Sequence, residues 1–369
     1  LEEAYESGIF DQNLDELIKE ESDVIEKLRN LAEYQILYSR INYIFRSGGF
    51  TRNETERQVV NEIADYHLIK GKNTALSTRA TTICYYIKGL CSASIRDYED
   101  ALINFRKAKS VMDRNPLIRD DIQQRYIYTL SFLLNCYIDV HDFKNAESTL
   151  EEFNALLSNK AFESPDSRVR IFTSTYIGKL QLYNRQGNFE KAAELIPEIE
   201  KNLENYEEKI NKEKILLFNY NLGYTCFGMG DYKRALKYIN ELLNDNEKQL
   251  RQDIYSFSRI FNLIIHFELN NNDFIEYDIK SAARFLNKHE KDYEVEQLFV
   301  SEMKNLARLT SSAERKKIFE RFDAELEVLL KDDRENVILE YFDLRAWIKS
   351  KLSNTSFSQA IKMEQKVVS

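Results

Sequence analysis

The sequence is poor in the residues that interrupt helices, with ten Gly and three Pro in 369 residues. Because Gly and Pro are the main helix breakers, their scarcity predicts long uninterrupted helices. Excess positive charge is also missing, since 52 Lys and Arg stand against 61 Asp and Glu and give a net charge of −9. We therefore expect no general attraction to nucleic acid or to an anionic membrane surface.

Long hydrophobic runs and paired cysteines are absent from the sequence as well. The most apolar windows, residues 130–138 and 259–269, are much shorter than the roughly 20 residues that a membrane-spanning helix requires. The four cysteines form no CxxC pair, and each lies in an apolar helical stretch: Cys84, Cys91, Cys136 and Cys226. We interpret them as buried free thiols and expect a cytoplasmic protein that does not associate with a membrane.

Recognisable catalytic and metal-binding motifs are missing too. The sequence contains no GxGxxG, GxxxxGK[ST], HExxH or GxSxG pattern. The four histidines are scattered along the chain at His67, His141, His266 and His289, and His141 stands in a turn position where it is expected to help cap a helix. The sequence therefore predicts no enzymatic activity, no cofactor and no metal site.

What the sequence does contain is a recurring phrase, seen best in RDYEDALINF (96–105), HDFKNAESTL (141–150), GNFEKAAELI (187–196) and GDYKRALKYI (230–239). Each copy has a turn residue, Asp or Asn, an aromatic residue, two mostly polar residues and Ala. With weaker copies included, the aromatic positions are Phe10, Phe50, Tyr98, Phe143, Phe189, Tyr232, Phe274 and Phe357. Their gaps are 40, 48, 45, 46, 43, 42 and 83 residues, so the period is about 43 residues.

Each repeat is predicted to be a helix–turn–helix unit, because apolar residues recur at helical spacing on both sides of the phrase. Gly187 and Gly230 suit the left-handed conformation that ends a helix. The next helix is expected to be capped by Asp97, Asp142, Asn188, Asp231 and Asp273. The predicted turns lie near residues 8–11, 48–51, 96–99, 141–144, 187–190, 230–233, 272–275, 310–314 and 355–358. Pro197 lies inside a helical pattern and should kink or split that helix.

The repeated residues resemble the tetratricopeptide repeat. The signature positions of the four best copies are Gly89, Tyr98, Ala101, Phe143, Ala146, Phe189, Ala192, Gly223, Tyr232 and Ala235. Two copies have Leu134 and Leu180 where the family has Gly, and another has Tyr277 where Ala belongs. The period exceeds the usual length of about 34 residues and overlaps the roughly 40–47 residues of HEAT and armadillo repeats, but the aromatic-x-x-Ala turn favours the tetratricopeptide interpretation.

The resemblance implies an all-α fold, a right-handed α–α superhelix of about eight repeats that spans residues 1–369 as a single array. It also implies a concave face lined by the first helix of each repeat, which in such proteins binds peptides. Counting back from each turn Ala, and from Tyr277, gives the expected binding residues Tyr86, Asn135, Gln181, Asn184, Tyr220, Tyr224, Arg259, Asn262 and His266. Amides and tyrosines suit a peptide backbone, although long helices could instead fill their own groove.

Three functional hypotheses follow, and the sequence alone does not choose among them. The first is a non-catalytic scaffold that binds a protein or peptide partner on the concave face. The second is a regulatory sensor that binds a small signalling peptide and changes the superhelix pitch. The third is an accessory region of an enzyme or regulator whose active domain lies upstream of Leu1, because the phase of the repeats predicts that the natural protein extends in that direction.

The close approach of two helices at the repeat Ala gives a first testable prediction. Replacing Ala101, Ala192 or Ala235 with Leu should overpack the hairpin and lower the free energy of unfolding by roughly 1–3 kcal/mol. Urea denaturation followed by circular dichroism measures the change. Neutral effects at all three positions would contradict the hairpin assignment.

Overall fold

A computed structural model describes residues 14–206, 208–245, 251–288 and 293–368, and the secondary structure of these ranges is helical without a strand. The helices are α1 (Leu14–Gly48), α2 (Glu54–Ala64), α3 (Thr78–Ser94), α4 (Tyr98–Asp113), α5 (Pro116–Asp121), α6 (Gln123–Asp139), α7 (Phe143–Leu156), α8 (Pro165–Arg185), α9 (Phe189–Ala193), α10 (Ile196–Asn205), α11 (Lys212–Gly228), α12 (Tyr232–Leu243), α13 (Gln252–Glu268), α14 (Asn272–Lys288), α15 (Glu294–Arg308), α16 (Ser312–Leu329), α17 (Ile338–Tyr341), α18 (Leu344–Ser353) and α19 (Phe357–Val368). A 3₁₀ turn, Lys160–Phe162, precedes α8.

Most of these helices pair into consecutive antiparallel hairpins. The described part of the chain contains eight of them: α1–α2, α3–α4, α6–α7, α8 with α9 and α10, α11–α12, α13–α14, α15–α16 and α18–α19. First helices of successive hairpins also contact one another, as α6 does α8 and α8 does α11. The all-α helical repeat fold is thereby confirmed. The predicted turn at residues 8–11 and His289 lie outside the described residues.

Five of the turns share one backbone geometry, which explains the recurring phrase. The second residue after the first helix has positive φ in each: Arg96, His141, Gly187, Gly230 and Asn270. The amide of the next residue donates to a carbonyl five residues earlier, as Asp231 N does to Cys226 O at 2.9 Å. This is the Schellman motif, which satisfies carbonyls at a helix end. His141 thus closes α6 through its backbone.

The expected caps are present in three of the five repeats. The carboxylates of Asp97, Asp142 and Asp231 each accept a hydrogen bond from the amide three residues later. Asn188 was expected to cap in the same way but does not, because its side-chain amide donates instead to Gln186 Oε1 at 3.0 Å. Asp273 already lies within α14.

Small residues of the phrase lie where the paired helices touch. Ala101, Ala146, Ala192 and Ala235 have no exposed surface. A Cβ added at Gly89 would lie 2.7 Å from the ring of Phe105, so the two helices meet there closely. Where Leu134 replaces the family Gly, the neighbouring α8 supplies Gly178, and a Cβ at Gly178 would lie 2.2 Å from Leu134 Cδ2. At this contact the small residue therefore lies on the adjacent helix.

Two other sequence predictions have a visible outcome. Pro197 occupies the first turn of α10 and separates it from α9, so the second helix of that repeat is split as predicted. Pro116 and Pro165 begin α5 and α8, where a missing amide proton costs nothing. The four cysteines are buried free thiols: Cys84, Cys91, Cys136 and Cys226.

The array does not remain open, because its C-terminal part turns back onto the first four hairpins. Residues 331–343, called the return segment below, connect α16 to α18 and include α17. Arg52 Nε donates to Arg334 O at 2.8 Å, and Arg96 Nη2 donates to Asp333 O at 2.5 Å. Gly49 is required beneath this segment, since it has φ +71° and an added Cβ would lie 2.6 Å from Tyr341 Oη.

Arg52 anchors this closure from a buried position. Its guanidinium forms a bidentate ion pair with Glu296 on α15, and both side chains are almost fully buried. It also lies 3.7 Å from the centre of the Tyr293 ring. Glu335 of the return segment accepts from the amide of Val295 at 2.9 Å and so caps α15. Residues more than 240 positions apart in sequence are thereby held together.

The buried pair predicts a specific pattern in a double-mutant cycle. Arg52→Met alone leaves the Glu296 carboxylate buried without its partner and should lower the free energy of unfolding by about 3–5 kcal/mol. The double variant Arg52→Met/Glu296→Met should recover much of this loss, because a buried ion pair and an apolar pair of similar volume are often equivalent.

Urea denaturation monitored by circular dichroism provides the measurement, with Arg308→Met as the control because Arg308 forms an exposed pair with Glu276. If the single and double variants were destabilised equally, Arg52 and Glu296 would not be energetically coupled.

Candidate functional site

Closure turns the concave face into a cavity of about 510 Å³. The first helices of successive hairpins, α1, α3, α6, α8, α11 and α13, contribute its wall, and the return segment contributes one side. The sequence predicted a groove formed by the first helices. The structure retains that face but partly encloses it, so it is not the extended groove that the repeat pattern indicated.

Six of the nine expected binding residues line this cavity: Tyr86, Asn135, Gln181, Asn184, Tyr220 and Tyr224. They come from four consecutive first helices, and the stacking of the hairpins brings them to one space although they span residues 86–224. Counting back from the turn Ala places side chains correctly wherever the Ala is present. These six are therefore the expected residues that the structure brings together.

The other three expected residues lie elsewhere, at the contact between α13 and α14. Asn262 Nδ2 donates to Asp278 Oδ2 at 3.1 Å, and Arg259 Nη1 donates to Ser281 Oγ at 3.3 Å. His266 Nε2 lies 3.4 Å from the same Asp278 carboxylate, and burial lowers the pKa of His266. None of the three lines the cavity.

A register error of two residues explains this misplacement. The turn residue with positive φ is Asn270, and in the other repeats Ala follows that residue by five positions. Ile275, fully buried, occupies the Ala position here, whereas Tyr277 is 74% exposed. Counting from Ile275 with the same offsets replaces the polar set by Phe257, Ile260 and Ile264, which are buried apolar residues.

Two expected binding residues already contact a piece of the same chain. The Tyr220 hydroxyl donates to the carbonyl of Tyr341 at 3.1 Å, and the amide of Asp343 donates to the Tyr224 hydroxyl at 3.4 Å. Phe342 between them is extended, with φ −140° and ψ 129°, and its ring packs against Tyr224. The concave face thus binds backbone groups on either side of one extended residue, and the chain fills part of its own groove.

The open part of the cavity contains polar atoms without a hydrogen-bond partner. Ser174 Oγ and Gln181 Oε1 are both buried and unpaired, and both residues line the cavity. The side chain of Asn135, on the neighbouring α6, makes no hydrogen bond to the described part of the chain either. Buried polar atoms usually find a partner. A ligand with donor groups would satisfy these two oxygens.

The sequence pattern did not indicate Ser174, although a signal was present. Ser174 precedes Gln181 by seven residues, which is two helical turns, so both lie on one face of α8. Arg170 continues the same stripe one turn earlier, and its Nη1 donates to the Tyr128 hydroxyl at 2.6 Å. Counting back from the turn Ala did not reach these positions, because the helices of the tetratricopeptide pattern are shorter than the helices of this chain.

Charged residues form one border of the cavity beside the return segment. Arg185 Nη2 donates to Asp139 Oδ1 at 3.1 Å and to Glu340 Oε2 at 3.2 Å. Arg96 lies 3.6 Å from the Glu340 carboxylate on the other side. Burial and the neighbouring Glu340 carboxylate raise the pKa of Asp139 to about 7, against the opposing effect of Arg185. The same residues therefore line the cavity and hold the return segment against the array.

Comparison with known proteins identifies no relative. No protein-family model, no curated protein and no solved structure matches the chain. Within the described ranges, no set of three or more His, Cys, Asp or Glu side chains is placed to hold a metal ion. In those ranges no helix has both the length and the hydrophobicity that crossing a bilayer requires.

The raised pKa of Asp139 predicts a pH dependence. Because the folded-state value of about 7 exceeds the ordinary value of 3.8, the protonated carboxyl contributes stability that is fully present below about pH 4. This contribution is lost as the pH rises through 7. Asp139→Asn should remove it, so the difference in free energy of unfolding between wild type and the variant should shift in favour of the variant as the pH rises from acidic to alkaline.

Urea midpoints of both proteins over this pH range provide the measurement. Asp166→Asn is the matched control, because its carboxylate is exposed near the start of α8. A difference between wild type and Asp139→Asn that did not vary with pH would contradict the assignment.

Proposed function

We propose that this protein is a non-catalytic scaffold that binds an extended peptide segment of a partner protein in the cavity. The observation that supports this proposal is that the concave face already holds residues 341–343 through the hydroxyls of Tyr220 and Tyr224. Those hydroxyls contact a backbone carbonyl and a backbone amide, which every peptide possesses. A tetratricopeptide-like array, a right-handed superhelix and a cytoplasmic location are part of the same proposal.

The unfilled part of the cavity has chemistry that suits a further stretch of peptide. Ser174 Oγ and Gln181 Oε1 are unpaired, and the Asn135 amide both donates and accepts. Tyr86 and Phe132 pack edge to face along the wall and supply rigid apolar area. The volume of about 510 Å³ lies within the roughly 300–1,000 Å³ that is typical of small-ligand sites. A short peptide or a single protruding loop fits this description.

A sensor for a short signalling peptide is the second candidate, and the shared border of the cavity favours it. Asp139 and Arg185 line the cavity, and Arg185 donates both to Asp139 and to Glu340 of the return segment. A ligand that engaged either residue would act on the contacts that close the array. A scaffold would bind its partner with the closure unchanged, whereas a sensor would change the overall dimensions on binding.

Selection from a random-sequence hexapeptide library tests the proposal. Immobilised wild type should enrich a defined set of peptides. Asn135→Trp should reduce their retention at least tenfold, because the indole occupies the cavity beside Gln181. Asn154→Trp is the control, since Asn154 lies on the exposed face of α7 and the same residue is introduced there. Mass spectrometry identifies the retained peptides.

Three results would contradict or refine this function. Equal retention by wild type and Asn135→Trp would place peptide binding outside the cavity, and no enrichment by wild type would remove support for peptide binding. If enriched peptides bind only wild type and Asn154→Trp, small-angle scattering with and without peptide distinguishes the two candidates. A change in the radius of gyration favours the sensor, and an unchanged radius favours the scaffold.

A further inference from the structure

The N-terminal part of α1 extends beyond the rest of the array. All twelve residues from 18 to 29 are exposed. Four of them are large and apolar: Ile18, Val24, Ile25 and Leu28, with exposed fractions of 46–59%. Isolated helices shorter than about 12–15 residues are marginally stable in water. A projecting apolar helix of this kind indicates a packing partner.

The later part of α1 is apolar on two opposite faces, of which only one is covered by the array. Tyr34, Leu37 and Ile41 are buried, and α1 contacts α3. On the opposite face, Ile36 is 63% exposed and Tyr43 is 75% exposed. An apolar groove bordered by Ala32, Ile36, Tyr43 and Val59 runs beside them.

The exposed residues of both parts form one continuous stripe. Ile18, Ile25, Ala32, Ile36 and Tyr43 are spaced by 7, 7, 4 and 7 residues, which keeps them on one side of a helix. At 1.5 Å per residue the stripe is about 38 Å long. Its heptad spacing is the pattern by which two long helices pack side by side. We call it the α1 stripe.

The distribution of charge along α1 favours a second copy of α1 as the partner and an antiparallel orientation of the two helices. Residues 14–26 contain six acidic residues and one basic residue, whereas residues 27–46 contain four basic residues and one acidic residue. Two copies of α1 in parallel would place like charges together. Two antiparallel copies place the acidic half of each against the basic half of the other, and complementary charge fixes orientation in helix pairing.

We propose that the α1 stripe is the interface of a homodimer in which two copies of α1 pack antiparallel about a two-fold axis near residues 30 and 31. In this register Ile25 faces Ile36 of the second copy, and Ile18 faces Tyr43 of the second copy. The paired residue numbers sum to 61. The same patch on both chains is self-complementary, as a two-fold interface requires.

Sedimentation velocity as a function of protein concentration tests the dimer. Wild type should sediment with twice the chain mass, and Ile25→Glu or Ile36→Glu should sediment as a monomer. Both residues are exposed, so neither change should affect folding, which circular dichroism verifies. Leu117→Glu is the matched control, because Leu117 is 88% exposed and lies outside the stripe. It should remain dimeric.

Cysteine cross-linking tests the orientation, because the four native cysteines are buried. Ser22 and Ser39 face one another across the antiparallel pair but lie about 26 Å apart along one helix. A mixture of Ser22→Cys and Ser39→Cys proteins should form a disulfide-linked heterodimer, whereas Ser22→Cys alone should form none.

Several outcomes would overturn the proposal. Wild type that is monomeric at every concentration would exclude the homodimer. The α1 stripe would then be covered by another segment or by a different partner. A dimer that persists in both Ile25→Glu and Ile36→Glu would lie elsewhere on the surface. Cross-linking of Ser22→Cys with itself would establish parallel pairing.

Discussion

The contact between the return segment and the arginines of the first four hairpins holds the array closed. Arg52, Arg96 and Arg185 are remote from residues 331–343 in sequence, yet each donates to a carbonyl or a carboxylate of that segment. Arg52 also pairs with Glu296 in a nearly dry environment. A buried charge is tolerated only with its partner, so such pairs disfavour arrangements in which the array is open.

Closure has a direct consequence for the concave face. The hydroxyls of Tyr220 and Tyr224 point toward the axis of the array, as the repeat pattern predicts, but the return segment takes up both of them. Beside them, Ser174 and Gln181 keep unpaired oxygens. One part of the face is therefore filled by the chain itself and another is left as a cavity, with the Asp139–Arg185–Glu340 cluster between the two.

The quality of the sequence prediction varied along the chain for a physical reason. Where Ala follows the turn, as at Ala146, Ala192 and Ala235, steric contact between two helices fixes which residue can stand there, and the inward-facing residues were found by counting. In the sixth hairpin Ile275 takes that position, and the count from Tyr277 placed Arg259, Asn262 and His266 on the wrong face. Asn188 likewise suits a cap, but its amide bonds to Gln186 instead.

The helices, their period, their tight turns and the six polar or aromatic residues that face the axis follow from the sequence pattern alone. These features depend on interactions within one repeat or between neighbours, and each repeat shows them again. The closure of the array, the position of residues 341–343 on part of the concave face, and the place of Ser174 and Arg185 beside the remaining cavity follow instead from long-range packing. Those contacts join residues up to about 280 positions apart, and no periodic pattern records which distant residues meet.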